Sequence, residues 1–285
     1  MRDGPIDIAG LGTIVEHFDH VLLDQWGTLH EGRSIFPEAR DCVARPREAG
    51  KRVLVLSNSG KRASSNAQRL ASLGLPTEAY DGILTSGEVT WIGLKERKHA
   101  PFTELRRTCF LITRGGDRTI VDGLDLDVAG DIENAEFILL AGLDDSAAEP
   151  ERWRRCLTGA ASRRLPMLCA NPDLTMFGAN GLMPAPGALA RFYQTFGGHV
   201  TFVGKPHMPI FAAALDRLGH PAPARVLMIG DSLDHDIAGA HAAGMLTLFL
   251  RAGVRRDHLM ADKSKTIHGR GDARTPHWTM NRLAW

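Results

Sequence analysis

"HVLLDQWGTLHEG", residues 20–32, is a short apolar run that closes on an acid and then turns at a glycine. An apolar segment of that length bounded by turn residues reads as a buried strand, which puts Asp24 at its carboxyl end. A helical pattern follows from Pro37 to Ala49, then "RVLVLS" (52–57), a second helical pattern from Arg62 to Leu73, and "GILTS" (82–86). Strands alternating with amphipathic helices are the pattern of βαβ units on a parallel sheet. Gly50, Gly74 and Gly219 each follow a helical stretch, where a left-handed residue ends a helix well. Pro46 falls inside the first helix and is expected to kink or shorten it.

A second alternating set runs through "HVTFVG" (199–204), "PIFAAALDRLG" (209–219), "RVLMIGD" (225–231), "DIAGAHAAG" (236–244) and "LTLFLRAG" (246–253). The two sets read as halves of one Rossmann-like, doubly wound parallel sheet. Between them, "CFLIT", "EFILLAG" and "PMLCAN" mark strands of their own, with a helix from Glu149 to Ala161. So long a segment is no loop in a compact domain, so residues 88–186 are expected to form an inserted α/β domain on a core of 1–87 and 187–285. The polar tail "RRDHLMADKSKTIHGRGDARTPHW" reads as a solvated loop, and "WTMNRLAW" as a segment packing back on the core.

Composition narrows the partners. With 285 residues and 44% hydrophobic content, the chain can bury a core and an insertion. A net charge of +1 without a dense basic face argues against nucleic acid. "FILLAGL" falls well short of the roughly 20 residues of a bilayer span, and "MRDGPIDIAG" carries no secretory pattern. A cytoplasmic protein acting on a small molecule is the expectation. Cys42, Cys109, Cys156 and Cys169 show no paired spacing and read as free thiols in apolar surroundings.

Four polar residues close or follow strands: Asp24, Ser57, Lys205 and Asp231. In a doubly wound sheet the ligand crevice lies outside the carboxyl ends of the strands, so these four are expected to converge. Asp24, Asp231 and Asp236 together form an acid cluster that cannot stay fully ionised without cations. Lys205 supplies one, and a hard ion such as Mg²⁺ would supply the rest, bound by carboxylates and a backbone carbonyl. Asp236 and Asp234 also suit the first turn of the helix that follows, and Ser232 suits its cap. Ser57 and Asn58 offer a hydroxyl and an amide to a tetrahedral oxyanion, and the backbone of Gly27 and Thr28 offers N–H groups. Such a site has the parts of a phosphoryl cradle.

"LLDQWGTL", "VLSNSG", "GKPHMPIF" and "MIGDSLDHDIAGA", in that order, resemble the four motifs of the haloacid dehalogenase-like hydrolase superfamily. The insertion sits between the second and third motifs, as a C2-type cap does. "GILTSGE", "CANPDL" and "MPAPGALA" resemble segments of the class IIA branch, which includes sugar-phosphate, pyridoxal-phosphate, phosphoglycolate and p-nitrophenyl phosphatases. The resemblance implies a nucleophilic Asp24 forming an aspartyl-phosphate, with Ser57 on the phosphoryl oxygens and Lys205 neutralising both. It further implies Mg²⁺ held by Asp24, the Trp26 carbonyl, Asp231 and Asp236, substrate selection by Asn171 and Asp173, and pairing of two chains through the cap. Asn171 and Asp173 equally suit an ordinary Asn-Pro-Asp turn.

The departure is Trp26, where phosphatases of the superfamily normally carry a second aspartate that protonates the leaving group. Loss of a positioned general acid costs roughly 10² to 10⁴ in rate, which leaves a slow phosphatase possible. Three readings follow: an Mg²⁺-dependent phosphatase whose leaving groups need little protonation, or that recruits His30 or His207 as its acid; a metal-independent dehalogenase; and a pseudoenzyme that binds a phosphorylated ligand without turnover.

Overall fold

The computed structural model describes residues 4–178, 181–252 and 274–285. Fourteen strands run through the described residues in chain order: β1 (Ile6–Asp7), β2 (His20–Asp24), β3 (Arg52–Ser57), β4 (Gly82–Thr85), β5 (Thr108–Ile112), β6 (Asp127–Val128), β7 (Phe137–Leu140), β8 (Met167–Cys169), β9 (Thr175–Gly178), β10 (Gly181–Pro184), β11 (Val200–Phe202), β12 (Val226–Gly230), β13 (Leu246–Leu250) and β14 (Trp278–Met280). The chain divides into two compact units, one of Met1–Ser57, Ser64–Leu84 and Lys205–Trp285, the other of Asn58–Ala63 and Thr85–Gly204.

The first unit carries the seven-stranded sheet β1-β14-β13-β12-β2-β3-β4. Its central strands are buried at nearly every position, as a parallel sheet covered on both faces requires. From β2 the chain proceeds outward to β3 and β4, and from β12 outward the other way to β13 and β14. The reversal lies between β2 and β12, which pair in parallel with Leu23 opposite Ile229. On the other side of β2, Asp24 stands opposite Leu56, so the strand ends that carry Asp24, Ser57 and Asp231 come out at one rim.

Helices follow the expected pattern: α1 (Ala39–Glu48), α2 (Ala63–Ser72) and α3 (Met208–Leu218) each end before a glycine with positive φ, 76° at Gly50, 99° at Gly74 and 86° at Gly219. Pro46 does not stop α1, which runs on to Glu48; at the last turn its missing N–H forfeits a single helical bond. The segment "WTMNRLAW" does more than pack on the core. Trp278–Met280 enters the sheet between β13 and β1, parallel to both.

The second unit holds a five-stranded parallel sheet, β11-β8-β7-β5-β6, and an antiparallel pair, β9 with β10. Its core includes Ile138, Leu157, Leu189 and Tyr193, the Tyr193 hydroxyl donating to the Leu165 carbonyl at 2.6 Å. Two expectations are corrected here. "HVTFVG" does not join the core sheet: Val200–Phe202 pairs with Met167–Cys169, and Phe202 belongs to this unit's apolar cluster. The unit therefore extends beyond 186 to Gly204 and also takes in residues 58–63, outside the expected 88–186. The physical reason lies in close backbone approaches: a Cβ on Gly60 would meet the Ala141 carbonyl oxygen at 1.9 Å, and one on Gly87 would meet the Gly60 oxygen at 2.2 Å. Arg62 adds a paired contact to Glu88 at 2.7 and 3.0 Å.

All four cysteines are free, three buried and Cys156 half-buried. No helix among the described residues is long and apolar enough to cross a membrane. Most of the polar tail lies outside the described residues.

Candidate active site

The rim between β2 and β12 gathers the charged residues. Lys205 is 2% exposed, and its Nζ donates to Asp24 Oδ1 at 2.6 Å, to Asp236 Oδ1 at 2.7 Å and to the Leu56 carbonyl at 3.1 Å. Asp24, Asp231 and Asp236 are buried, and each offers a carboxylate oxygen within 4.8 Å of the others. That separation is compatible with one shared coordination shell.

Local structure holds the acids in place. The loop after β12 enters a π-helical turn over Leu233–Ile237, a geometry frequent at functional sites. Ser232 caps it by accepting from the His235 N–H at 3.2 Å. Asp236 Oδ2 accepts from the Ser232 N–H at 3.0 Å, which leaves Oδ1 for the lysine. Two glycines permit the approach: a Cβ on Gly230 would meet Asp236 Oδ2 at 2.1 Å, and one on Gly27, at φ 90°, would meet Asp231 Oδ2 at 2.2 Å. Asp234 stays at the surface, 3.7 Å from Arg274.

The electrostatics follow from burial. Desolvation raises the Asp24 carboxyl to about 7, a rise that the Lys205 ammonium opposes and the Asp236 carboxylate reinforces. Burial pushes the Lys205 ammonium down, but Asp236 and Asp24 outweigh it and hold it above the ordinary lysine range. Three carboxylates against one ammonium leave the cluster short of positive charge, the deficit that a divalent ion corrects. Oxygen donors alone surround the position, which favours a hard cation such as Mg²⁺ or Ca²⁺. Thr28 adds to the fit: its Oγ1 is buried and has no hydrogen-bond partner among the described residues.

The turn after Asp24 differs from expectation in two ways. The Gly27 N–H is given to the His30 carbonyl at 2.9 Å, so Gly27 serves close approach and not anion donation. His30, named above as a possible replacement acid, is buried in the turn. It is 2% exposed, its Nδ1 accepts from the Gly32 N–H at 2.9 Å, and its Nε2 lies 3.2 Å from the Gln25 side-chain amide. A neutral imidazole accepts at only one nitrogen, so the proton belongs on Nε2, and the Gln25 amide, whose nitrogen stands 3.2 Å away and whose oxygen is buried without a partner among the described residues, satisfies it when turned about its terminal bond. Desolvation, aided by the Arg69 charge, lowers His30 to about 4. Bonded at both nitrogens and neutral, it is not placed to act as an acid. The Trp26 indole lies edge-on to His30, ring centroids 5.4 Å apart, and against Gly32, where a Cβ would meet the ring at 2.4 Å.

Ser57 closes β3 and is buried. Asn58, by contrast, falls in the second unit, where its Nδ2 donates to Asp173 Oδ1 at 2.9 Å. Asn171 Oδ1 accepts from the Asp173 N–H at 3.0 Å, so the Asn-Pro-Asp turn is self-bonded as well as tied to Asn58. Sequence reading missed the Asn58–Asp173 pair and the Gln25–His30 pair. The first joins residues 115 positions apart, and no local signal announces it.

A family model described as haloacid dehalogenase-like hydrolase matches residues 21–127, and one described as HAD-hydrolase-like matches residues 202–281. Among solved structures, a hydrolase of the haloacid dehalogenase-like family from Brucella suis 1330 superposes with a TM-score of 0.82 at 30% identity, covering 97% of this chain and 100% of that one. Chronophin from Mus musculus is 28% identical over 295 residues, 97% of this chain and 94% of its own length. The p-nitrophenyl phosphatase from Archaeoglobus fulgidus has a TM-score of 0.70 at 25% identity, covering 93% of this chain and 97% of that one.

Proposed function

Because the chain belongs to the haloacid dehalogenase-like hydrolases, on their class IIA phosphatase branch, we propose that it is an Mg²⁺-dependent hydrolase of small phosphate monoesters that works through an aspartyl-phosphate on Asp24. The observation that carries this reading is Lys205 Nζ held between Asp24 and Asp236 at 2.6 and 2.7 Å, beside a third carboxylate.

Asp24 has one oxygen on Lys205, and the opposite oxygen attacks phosphorus while the ester oxygen departs with the bonding pair. Water then cleaves the acyl-phosphate bond and restores the carboxylate. Lys205 favours the ionised form of Asp24 against its burial and offsets charge on the transferring oxygens, with Ser57 and Thr28 as neutral donors. Asp24, Asp231, Asp236 and the Trp26 carbonyl would hold Mg²⁺, which supplies Lewis-acid stabilisation of the phosphoryl oxygens. Trp26 carries no proton to give, and His30 is neutral and engaged. The preferred leaving groups are therefore those that depart without help, aryl and acyl phosphates above all, as the name of the Archaeoglobus relative illustrates. Asn171 and Asp173 are assigned to substrate selection, in a cap that also pairs two chains.

Phosphate release from p-nitrophenyl phosphate, measured with Mg²⁺ and with chelator, tests the reading. Turnover that needs the ion and vanishes in Asp24→Asn supports it, and undiminished turnover in that variant refutes it. Mg²⁺-dependent binding of a phosphorylated ligand without turnover would instead identify a pseudoenzyme.

A further inference from the structure

Asn58, the Asn171–Asp173 turn and Gly204 lie far apart in the chain and close on one point of the second unit. Asn58 is buried, and its Nδ2 donates to Asp173 Oδ1 at 2.9 Å. Gly204 seats both: a Cβ there would meet Asn58 Oδ1 at 2.6 Å, Pro172 Cδ at 2.7 Å and Ser86 Oγ at 2.2 Å. Only glycine allows so close an approach. Asp173 is fixed from two further sides, its N–H on Asn171 Oδ1 at 3.0 Å and its carbonyl accepting from the Gly187 N–H at 2.9 Å. The Val203 N–H donates to the Cys169 carbonyl at 3.0 Å, which carries the pairing of β11 with β8 up to the residue before Gly204.

Two of these segments continue directly into the phosphate chemistry. Ser57 is the residue before Asn58, and Lys205 is the residue after Gly204. The far end of Lys205 is pinned by Asp24, Asp236 and the Leu56 carbonyl, whereas its root follows wherever Gly204 runs. A displacement of the Asn171–Asp173 turn is therefore passed to Ser57 through Asn58 and to Lys205 through Gly204, in each case across a single peptide bond. The amide of Asn58, expected from sequence to face a phosphoryl oxygen, is turned on a carboxylate of its own unit.

We propose that Asn58 is a positioning residue: bonded to Asp173, it locks the Asn171–Asp173 turn and Gly204 together and so holds the Ser57 hydroxyl and the root of Lys205 where the phosphoryl group needs them. The inference rests on the phosphatase reading. It adds that Asp173 serves the transferred group, which every substrate shares, as well as selection among leaving groups.

The test is a double-mutant cycle of Asn58→Ala and Asp173→Ala, read with Mg²⁺ on the inhibition constant of orthophosphate, which has no leaving group. Each single substitution is expected to raise that constant about tenfold or more, the scale of a hydrogen bond to a charged group, and the double substitution should add no more than about twofold. A partly unfolded population would lower kcat and leave the constant alone. Asn58→Ala should also lower kcat/KM by one common factor on p-nitrophenyl phosphate and acetyl phosphate, which share the phosphoryl group and differ in what leaves. Losses that multiply in the cycle, an inhibition constant within about twofold of the parent's, or a factor that differs between the two substrates overturn the proposal. A parent protein that turns over neither substrate sinks the phosphatase reading, and the cycle is then read by calorimetric titration of orthophosphate. Binding about tenfold weaker and not multiplied in the double substitution upholds the positioning role there, and unchanged or multiplied losses overturn it. A parent that binds no orthophosphate overturns both.

Discussion

At the carboxyl ends of β2 and β12 the core sheet gathers three carboxylates and an ammonium, all buried, whereas at the ends of β5 and β7 the inserted sheet leaves a pocket that sets Arg114 2.5 Å from Asp145 and Lys61 toward Asp117, with both cations at solvent. Both lie at the carboxyl ends of neighbouring parallel strands. What separates them is how far the charges are withdrawn from water. Buried charges must be compensated within the protein, so the core site is preorganised down to single oxygens and suited to stabilising transferred charge. Hydrated charges on a rim keep their mobility and add little to stability.

Substitutions can break this contrast at its strong end first. Asp24→Asn should lower phosphate release by a factor on the order of 10⁴ or more, as expected for loss of a nucleophile, while leaving the fold intact by circular dichroism. Lys205→Met strands two carboxylates inside the protein. A loss of about 3–5 kcal/mol in urea unfolding is expected without Mg²⁺, part of it recovered at saturating Mg²⁺. The corresponding change on the rim, Lys61→Gln, should barely move the same midpoint, because exposed charges contribute about 0–1 kcal/mol.

His30 sharpens the comparison through pH. Its folded-state value of about 4 lies below the ordinary 6.5, so the unfolded chain takes up the proton first as pH falls. Stability is therefore complete above about pH 6.5 and drains as pH drops toward 4, by on the order of 3 kcal/mol in total. Unfolding midpoints of the protein and of His30→Gln across that range should diverge, the variant showing the shallower slope. A further effect concerns the turn: Gly32→Ala places a methyl against the Trp26 ring at φ 96° and should cost about 2 kcal/mol. In a Trp26→Ala background part of that cost should disappear, a coupling that a double-mutant cycle reads directly.

Asp24 and Asp231 were legible because each ends a run whose period and composition declare a strand of the core sheet, and topology brings those strand ends together. Lys205 follows a strand of the other sheet, so its place beside Asp24 was reached without the right reason. Turn residues carry no such periodicity. Nothing local distinguishes a His30 locked on Gln25 and Gly32 from one in solvent, or tells that the Gly27 N–H is consumed within its own turn. Strand allegiance was equally hidden: "HVTFVG" has the same composition whether it pairs with β8 or with a core strand, and partner choice is settled by side chains far away in the chain. Trp278–Met280 is too short to announce a strand at all.

The parallel pairing of β2 with β12 also has a consequence for synthesis. Lys205, which precedes β12, follows Asp24 by 181 positions, an interval of about 10–40 s on a ribosome working at roughly 5–20 residues per second. Throughout it, one edge of the strand bearing Asp24 has no native neighbour, while nearly all of the insertion has already emerged and can fold. The nascent core therefore presents an open, apolar sheet edge for most of translation, and residues 6–7 wait longer still, until β14 is made.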